Sequence, residues 1–121
     1  MRTKIIILIA LILIGGMNLY AQNGKTLIAY FSWSGNTQHV AEYIAGQTGG
    51  TLFRIDPVKP YPTDYKPCTE VAKKEKEQNA RPAIKNKVED RNSYDTIFIG
   101  CPEWWWTAPM IINTYTESYY Y

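Results

Sequence analysis

Apolar and polar residues change period several times along the chain, and each change predicts a new element. Thr26 to Phe31, TLIAYF, is a nearly continuous apolar run of strand length. From Thr37 to Gln47 the period lengthens, with Val40, Ala41, Ile44 and Ala45 along one side of a helix. Gly49 and Gly50 follow, the residue type that closes a helix with a left-handed cap. Thr51 to Asp56 alternates as a second, short strand and stops at Pro57. Residues 58–67, VKPYPTDYKP, read as a loop because prolines interrupt regular structure. Thr69 to Asn79 has a helical, very polar pattern that ends near Arg81 and Pro82, and residues 83–93 are a polar connection. Tyr94 to Cys101 is a third strand, and Pro109 to Ser118 opens with a proline suited to the first turn of a third helix.

Strand and helix therefore alternate three times, which predicts an α/β fold with an open parallel sheet, helices on both faces and right-handed crossovers. TIFIG in the third strand is apolar on both faces, the mark of a central parallel strand. Ligands of such sheets lie outside the carboxyl ends of the strands, where the winding reverses. Two loops leave strands at that edge with unusual composition: SWSGNT, residues 32–37, and PEWWWTAP, residues 102–109. A spatial order of 2-1-3 makes them neighbours.

The N-terminal segment stands apart. Arg2 and Lys4 precede the apolar run Ile5 to Ile14, and Gly15 and Gly16 lead to LYAQ, the layout of a signal peptide at residues 1–21 cleaved after Ala21. Export to the periplasm or outside the cell follows, with an uncleaved membrane anchor as the alternative. The mature domain, residues 22–121, loses Arg2 and Lys4 and holds 11 basic against 11 acidic side chains. That balance gives no reason to expect nucleic acid as a partner, and the lysines of KKEKE alternate with glutamates as on a solvated helix face. His39 is the sole histidine, so no metal site is expected. Cys68 and Cys101 read as separate thiols, with Cys101 buried at a strand end, and a disulfide between them in an exported protein is the alternative.

SWSGNT supplies three hydroxyls, an amide and a glycine just before a helix, so its free N–H groups and the helix dipole make a cradle for an anion without a lysine. The alternative is a simple helix cap and turn. In PEWWWTAP three consecutive tryptophans cannot all point into one core, and an indole facing a pocket offers a flat surface for a planar heterocycle. The alternative has two tryptophans packed under the sheet edge and the third in a partner patch.

IAYFSWSGNTQHVAEYIA resembles the phosphate loop of flavodoxins, and YDTIFIGCPEWWWTAPMIINTY resembles the third strand and flavin-ring loop of small flavodoxin-like proteins. The resemblance spans Lys25 to Ser118 and implies a flavodoxin-like fold and FMN as cofactor. It assigns Ser32, Trp33, Ser34, Gly35, Asn36 and Thr37 to the phosphate, and Pro102, Glu103, Trp104, Trp105, Trp106 and Thr107 to the isoalloxazine ring. No side chain need act as acid, base or nucleophile. At Trp106 the sequence departs from the glycine that similar proteins carry beside the flavin N5. The family sheet has the order 2-1-3-4-5, whereas this sequence stops after the third helix, which implies the N-terminal three-fifths of the domain without strands 4 and 5. The expected function is a flavin redox protein, an electron carrier or a small reductase, working with a redox partner or a small-molecule electron acceptor. The alternative is a truncated fragment or interaction module that binds no flavin.

Overall fold

The computed structural model describes residues 24–119. Strands β1 (Thr26–Tyr30), β2 (Thr51–Arg54) and β3 (Thr96–Gly100) form one parallel sheet in the order β2-β1-β3. Helices α1 (Asn36–Thr48), α2 (Tyr65–Glu77) and α3 (Met110–Glu117) alternate with them, and a single 3-10 turn, Arg91–Ser93, precedes β3. The alternation agrees with the residue pattern, and the 2-1-3 order with the resemblance to flavodoxins. The export segment expected at residues 1–21 lies outside the described residues.

Burial explains why β1 is central. Successive side chains of a strand point to opposite faces, and here Leu27, Ala29 and Phe31 join Ile55, Ile111, Ile112 and Tyr115 on one face, while Ile28 and Tyr30 meet Ala41 on the other. Tyr30 pairs with Arg54 on one side and Gly100 on the other, so all three strands end together. Beyond the ladder, Phe31 N–H donates to the Gly100 carbonyl at 2.9 Å and Ile55 N–H to the Tyr30 carbonyl at 2.7 Å. The carboxyl edge is thereby held as one rim.

Among the described residues β3 borders the sheet, as the order 2-1-3 without strands 4 and 5 implies, and its apolar Phe98 and Ile99 are exposed. Several expectations need correction. Helix α2 starts at Tyr65, four residues earlier than the proline pattern suggests, because Pro67 lies in the first turn, where the N–H it lacks has no intrahelical acceptor anyway. That helix ends at Glu77, with Asn79 left-handed at φ 49° beyond it. Pro109 is the cap residue of α3 rather than its first helical residue. On α1 the packed stripe is Ala41, Ile44 and Ala45, whereas Val40 is exposed. The predicted glycine cap holds: Gly49 has φ 69° and donates to the Ala45 carbonyl. The thiols are free, but Cys68 is the buried one and Cys101 is half-buried.

Candidate functional site

The chain leaves β1 at Phe31 and must reverse direction before α1. Gly35 makes that possible with a left-handed φ of 99°. Ser32 is turned inward, 4% exposed, and its Oγ accepts N–H bonds from Gly35 and Gln38, both at 3.2 Å. One buried hydroxyl therefore folds the loop over the helix start. The N–H groups of Ser34, Asn36 and Thr37 have no acceptor among the described residues, and they lie at the positive end of the α1 dipole.

Arg54, at the end of β2, completes this corner. Its guanidinium donates to the Ser32 carbonyl at 3.1 Å, to Gln38 Oε1 at 2.8 Å and to Asp56 Oδ1 at 3.0 Å, and it lies 5.8 Å from the Tyr30 ring centroid. The residue pattern did not single it out. Its signal was nevertheless available, because a 2-1-3 sheet brings the end of β2 beside the end of β1.

The second loop has a different construction. Trp104 and Thr107 exchange backbone hydrogen bonds of 2.8 and 3.3 Å, closing a two-residue turn. Its central residues, Trp105 and Trp106, have φ of 53° and 67°. Such primed turns normally use Asn-Gly, and each bulky left-handed residue costs about 1–2 kcal/mol. Contacts to α2 hold the turn: Trp105 Nε1 donates to the Thr69 carbonyl at 2.9 Å, Lys76 Nζ donates to the Trp105 carbonyl, and Lys73 Nζ sits 5.6 Å from the Trp105 ring centroid. Rotating the peptide between Trp105 and Trp106 would carry Trp105 toward ψ of about −120° at positive φ, a region suited to glycine alone. That cost and the Lys76 bond to the Trp105 carbonyl both oppose rotation.

The three tryptophans divide their tasks. Trp104 is half-buried, edge-on to Phe31 at 5.3 Å and to Tyr61 at 5.0 Å. Trp105 lies along α2, and Trp106 is 88% exposed. Tyr61, from the proline-rich loop, is half-buried and donates to Glu75 Oε2 at 2.8 Å. Burial and the neighbouring Glu75 push its phenol well above the ordinary range, and burial raises the Glu75 carboxyl against the opposing effects of Tyr61 and Lys59.

Two cavities flank Trp33, whose Nε1 donates to the Pro62 carbonyl at 2.8 Å. An open cavity of about 630 Å³ lies between the second loop, from Glu103 to Trp106, and the face of α2 carrying Tyr65, Cys68, Thr69 and Ala72. A smaller one, about 420 Å³, is bounded by Ser32, Ser34, Arg54, Asp56, Tyr61 and Lys85. Asn36, Thr37, Pro102 and Thr107 line neither. The loops still touch: a Cβ on Gly100 would come within 3.2 Å of Thr37 Cγ2 and 3.3 Å of Tyr30 Cβ. Glycine at 100 lets the end of β3 approach the start of α1.

Acid, base and nucleophile candidates are few. Burial raises both cysteine thiols, so neither is a thiolate at neutral pH. Among the described residues no three His, Cys, Asp or Glu side chains cluster to hold a metal, and no helix is long and apolar enough to cross a membrane.

The family model described as Flavodoxin matches residues 25–121. Three solved structures share the fold. A candidate flavoprotein from Bacteroides eggerthii is 39% identical with a TM-score of 0.71, covering 81% of this chain and 64% of its own. One from Bacteroides uniformis is 40% identical with a TM-score of 0.68, covering 79% and 64%. A flavoprotein in complex with FMN from Lactobacillus acidophilus is 31% identical with a TM-score of 0.72, covering 78% and 66%. This chain thus spans just under two thirds of the length of each. No curated protein matches it significantly.

Proposed function

The chain belongs to the flavodoxin family, and from that premise we propose that it binds FMN and works in electron transfer, as a carrier or as a small flavin-dependent reductase. The observation that carries this reading is the start of α1, where the N–H groups of Ser34, Asn36 and Thr37 have no acceptor among the described residues and follow directly on Trp33, which lines the tryptophan cavity. That donor set fits a phosphate: it supplies neutral, directed hydrogen bonds with the helix dipole behind them. The indoles of Trp33, Trp105 and Trp106 fit a planar ring system, which needs flat apolar surface more than charge.

Bound FMN would supply one-electron or two-electron transfer. The chain's own residues then have limited tasks. Ser32 shapes the phosphate loop, Gly35 turns it, and Ser34, Asn36 and Thr37 donate to the anion. Residues Pro102 to Thr107 would carry the ring surface, with the Trp105 carbonyl held by Lys76. Neither thiol is needed. The electron donor and acceptor are proposed to be a redox partner or a small molecule reaching the Trp106 side, and export through residues 1–21 is proposed with them.

Flavin titration of the full chain tests the reading. We expect saturable quenching of flavin fluorescence by tryptophan, with FMN bound more tightly than riboflavin and the difference reduced in Thr37→Ala. A folded chain that quenches neither flavin would favour the second reading, an interaction module without flavin, to which the exposed Phe98 and Ile99 on β3 lend support.

A further inference from the structure

The first loop contains no cation, yet a guanidinium stands directly behind it. We propose that Arg54 is a positioning residue for the phosphate loop, clamping Ser32 and Gln38 so that the loop N–H groups are set before an anion arrives; this rests on the proposed phosphate role of that loop. Three partners from three segments fix the guanidinium: the Ser32 carbonyl from the loop, Gln38 Oε1 from α1 and Asp56 Oδ1 beyond β2. The Tyr30 ring adds a contact from β1. Gln38 is itself oriented, since its Nε2 donates to Glu42 Oε1 at 2.9 Å, leaving Oε1 for Arg54.

The clamp acts on the same residues that shape the cradle. Ser32 Oγ holds the Gly35 and Gln38 N–H groups, and Arg54 holds the Ser32 carbonyl and the Gln38 side chain. Serine and helix are tied twice, once through a hydroxyl and once through a guanidinium. There is also an electronic consequence. The Ser32 carbonyl belongs to the same peptide group as the Trp33 N–H, and a charged donor on that carbonyl makes the N–H a stronger donor. Trp33 N–H has no acceptor among the described residues. A planar fork can serve three separated acceptors at once, whereas the ammonium of lysine is a point charge on a flexible stem.

The experiment compares FMN and riboflavin binding, by flavin fluorescence, in the full chain and in Arg54→Met and Arg54→Lys. We expect both variants to raise the FMN dissociation constant about tenfold, the cost of one lost charge-assisted hydrogen bond. Riboflavin, which lacks the phosphate, should stay within about twofold. Equal binding of the two flavins by the unaltered chain would overturn the phosphate-loop reading itself. An FMN preference that survives Arg54→Met would overturn the clamp alone. Full rescue by Arg54→Lys would reduce Arg54 to a bare charge, and equal loss of both flavins would reduce it to a fold contact; each overturns the proposal. Amide exchange without ligand gives a second reading. Gly35 and Gln38 should exchange faster in Arg54→Met, and unchanged rates would overturn the clamp whatever the flavin does.

Discussion

The loops after β1 and β3 leave the same sheet edge, approach each other at Thr37 and Gly100, and are built in opposite ways. In the first, backbone geometry does the shaping: a glycine occupies the left-handed position, a single buried serine collects the N–H groups, and the exposed side chains are small. In the second, side chains impose the shape, and two tryptophans occupy left-handed positions because α2 holds them there. The contrast follows from the task each is suited to. Backbone N–H groups can reach an anion only where side chains are small, while a ring surface consists of side chains and tolerates backbone strain that contacts elsewhere offset.

Truncation at the root of the second loop should have the largest effect. Trp104→Ala removes the ring packed edge-on to Phe31 and Tyr61, and we expect a loss of about 2–4 kcal/mol by urea denaturation, toward the lower part of the usual range because Trp104 is half-buried. Trp106→Ala should stay within about 0.5 kcal/mol, since that ring is already in solvent. Equal effects at the two positions would break the division between a packed and a displayed tryptophan.

The serine of the first loop comes next. Ser32→Ala leaves the Gly35 and Gln38 N–H groups without an acceptor, and an expected loss of about 1–2 kcal/mol should appear in the same denaturation series. Its FMN affinity should fall while riboflavin affinity holds. A fall in both would place Ser32 in the general fold rather than in the cradle.

Tyr61→Phe tests the support under Trp104. Removing the hydroxyl bonded to Glu75 should cost about 1 kcal/mol at neutral pH, because the pair is half-buried. The phenol also predicts a pH dependence. Burial raises Tyr61 and pushes Tyr115 up to about 12 from an ordinary value of 10.0, so the folded chain keeps these protons longer than the unfolded chain. The Tyr115 contribution is complete below about pH 10 and is lost as pH rises through 12, while Tyr61 keeps its proton to higher pH still. Urea midpoints measured from pH 8 to 12 should therefore fall at the alkaline end, and less steeply in Tyr115→Phe, whose buried hydroxyl has no partner to lose.

Trp106→Gly should have the smallest effect. Relief of a left-handed tryptophan, about 1–2 kcal/mol, is largely offset by the extra freedom of glycine in the unfolded chain, about 0.5–1 kcal/mol. A net gain of roughly 0.5 kcal/mol, read from the urea midpoint, would show that strain in the second loop is real and that contacts at Trp105 maintain it.

The residue pattern alone determined the alternation of strands and helices, and with it a parallel sheet with two unusual loops at its carboxyl edge, because period and glycine-proline punctuation are local properties; the order 2-1-3 came from the resemblance to flavodoxins. The pattern also singled out Ser32 to Thr37 as a candidate anion cradle, through composition next to a helix start. Only the tertiary structure decided which side chains serve it. Arg54 is 22 residues from Ser32 in sequence and meets it through strand pairing; Trp105 reaches α2 across 36 residues; Pro67 is admitted to a helix because its place in the first turn, not its identity, decides its cost. Which tryptophan packs, which lies on a helix and which faces solvent depended on the approach of α2 to the end of β3. A one-dimensional pattern carries the type of each element, and the distances between elements arise only when their apolar faces close on one another.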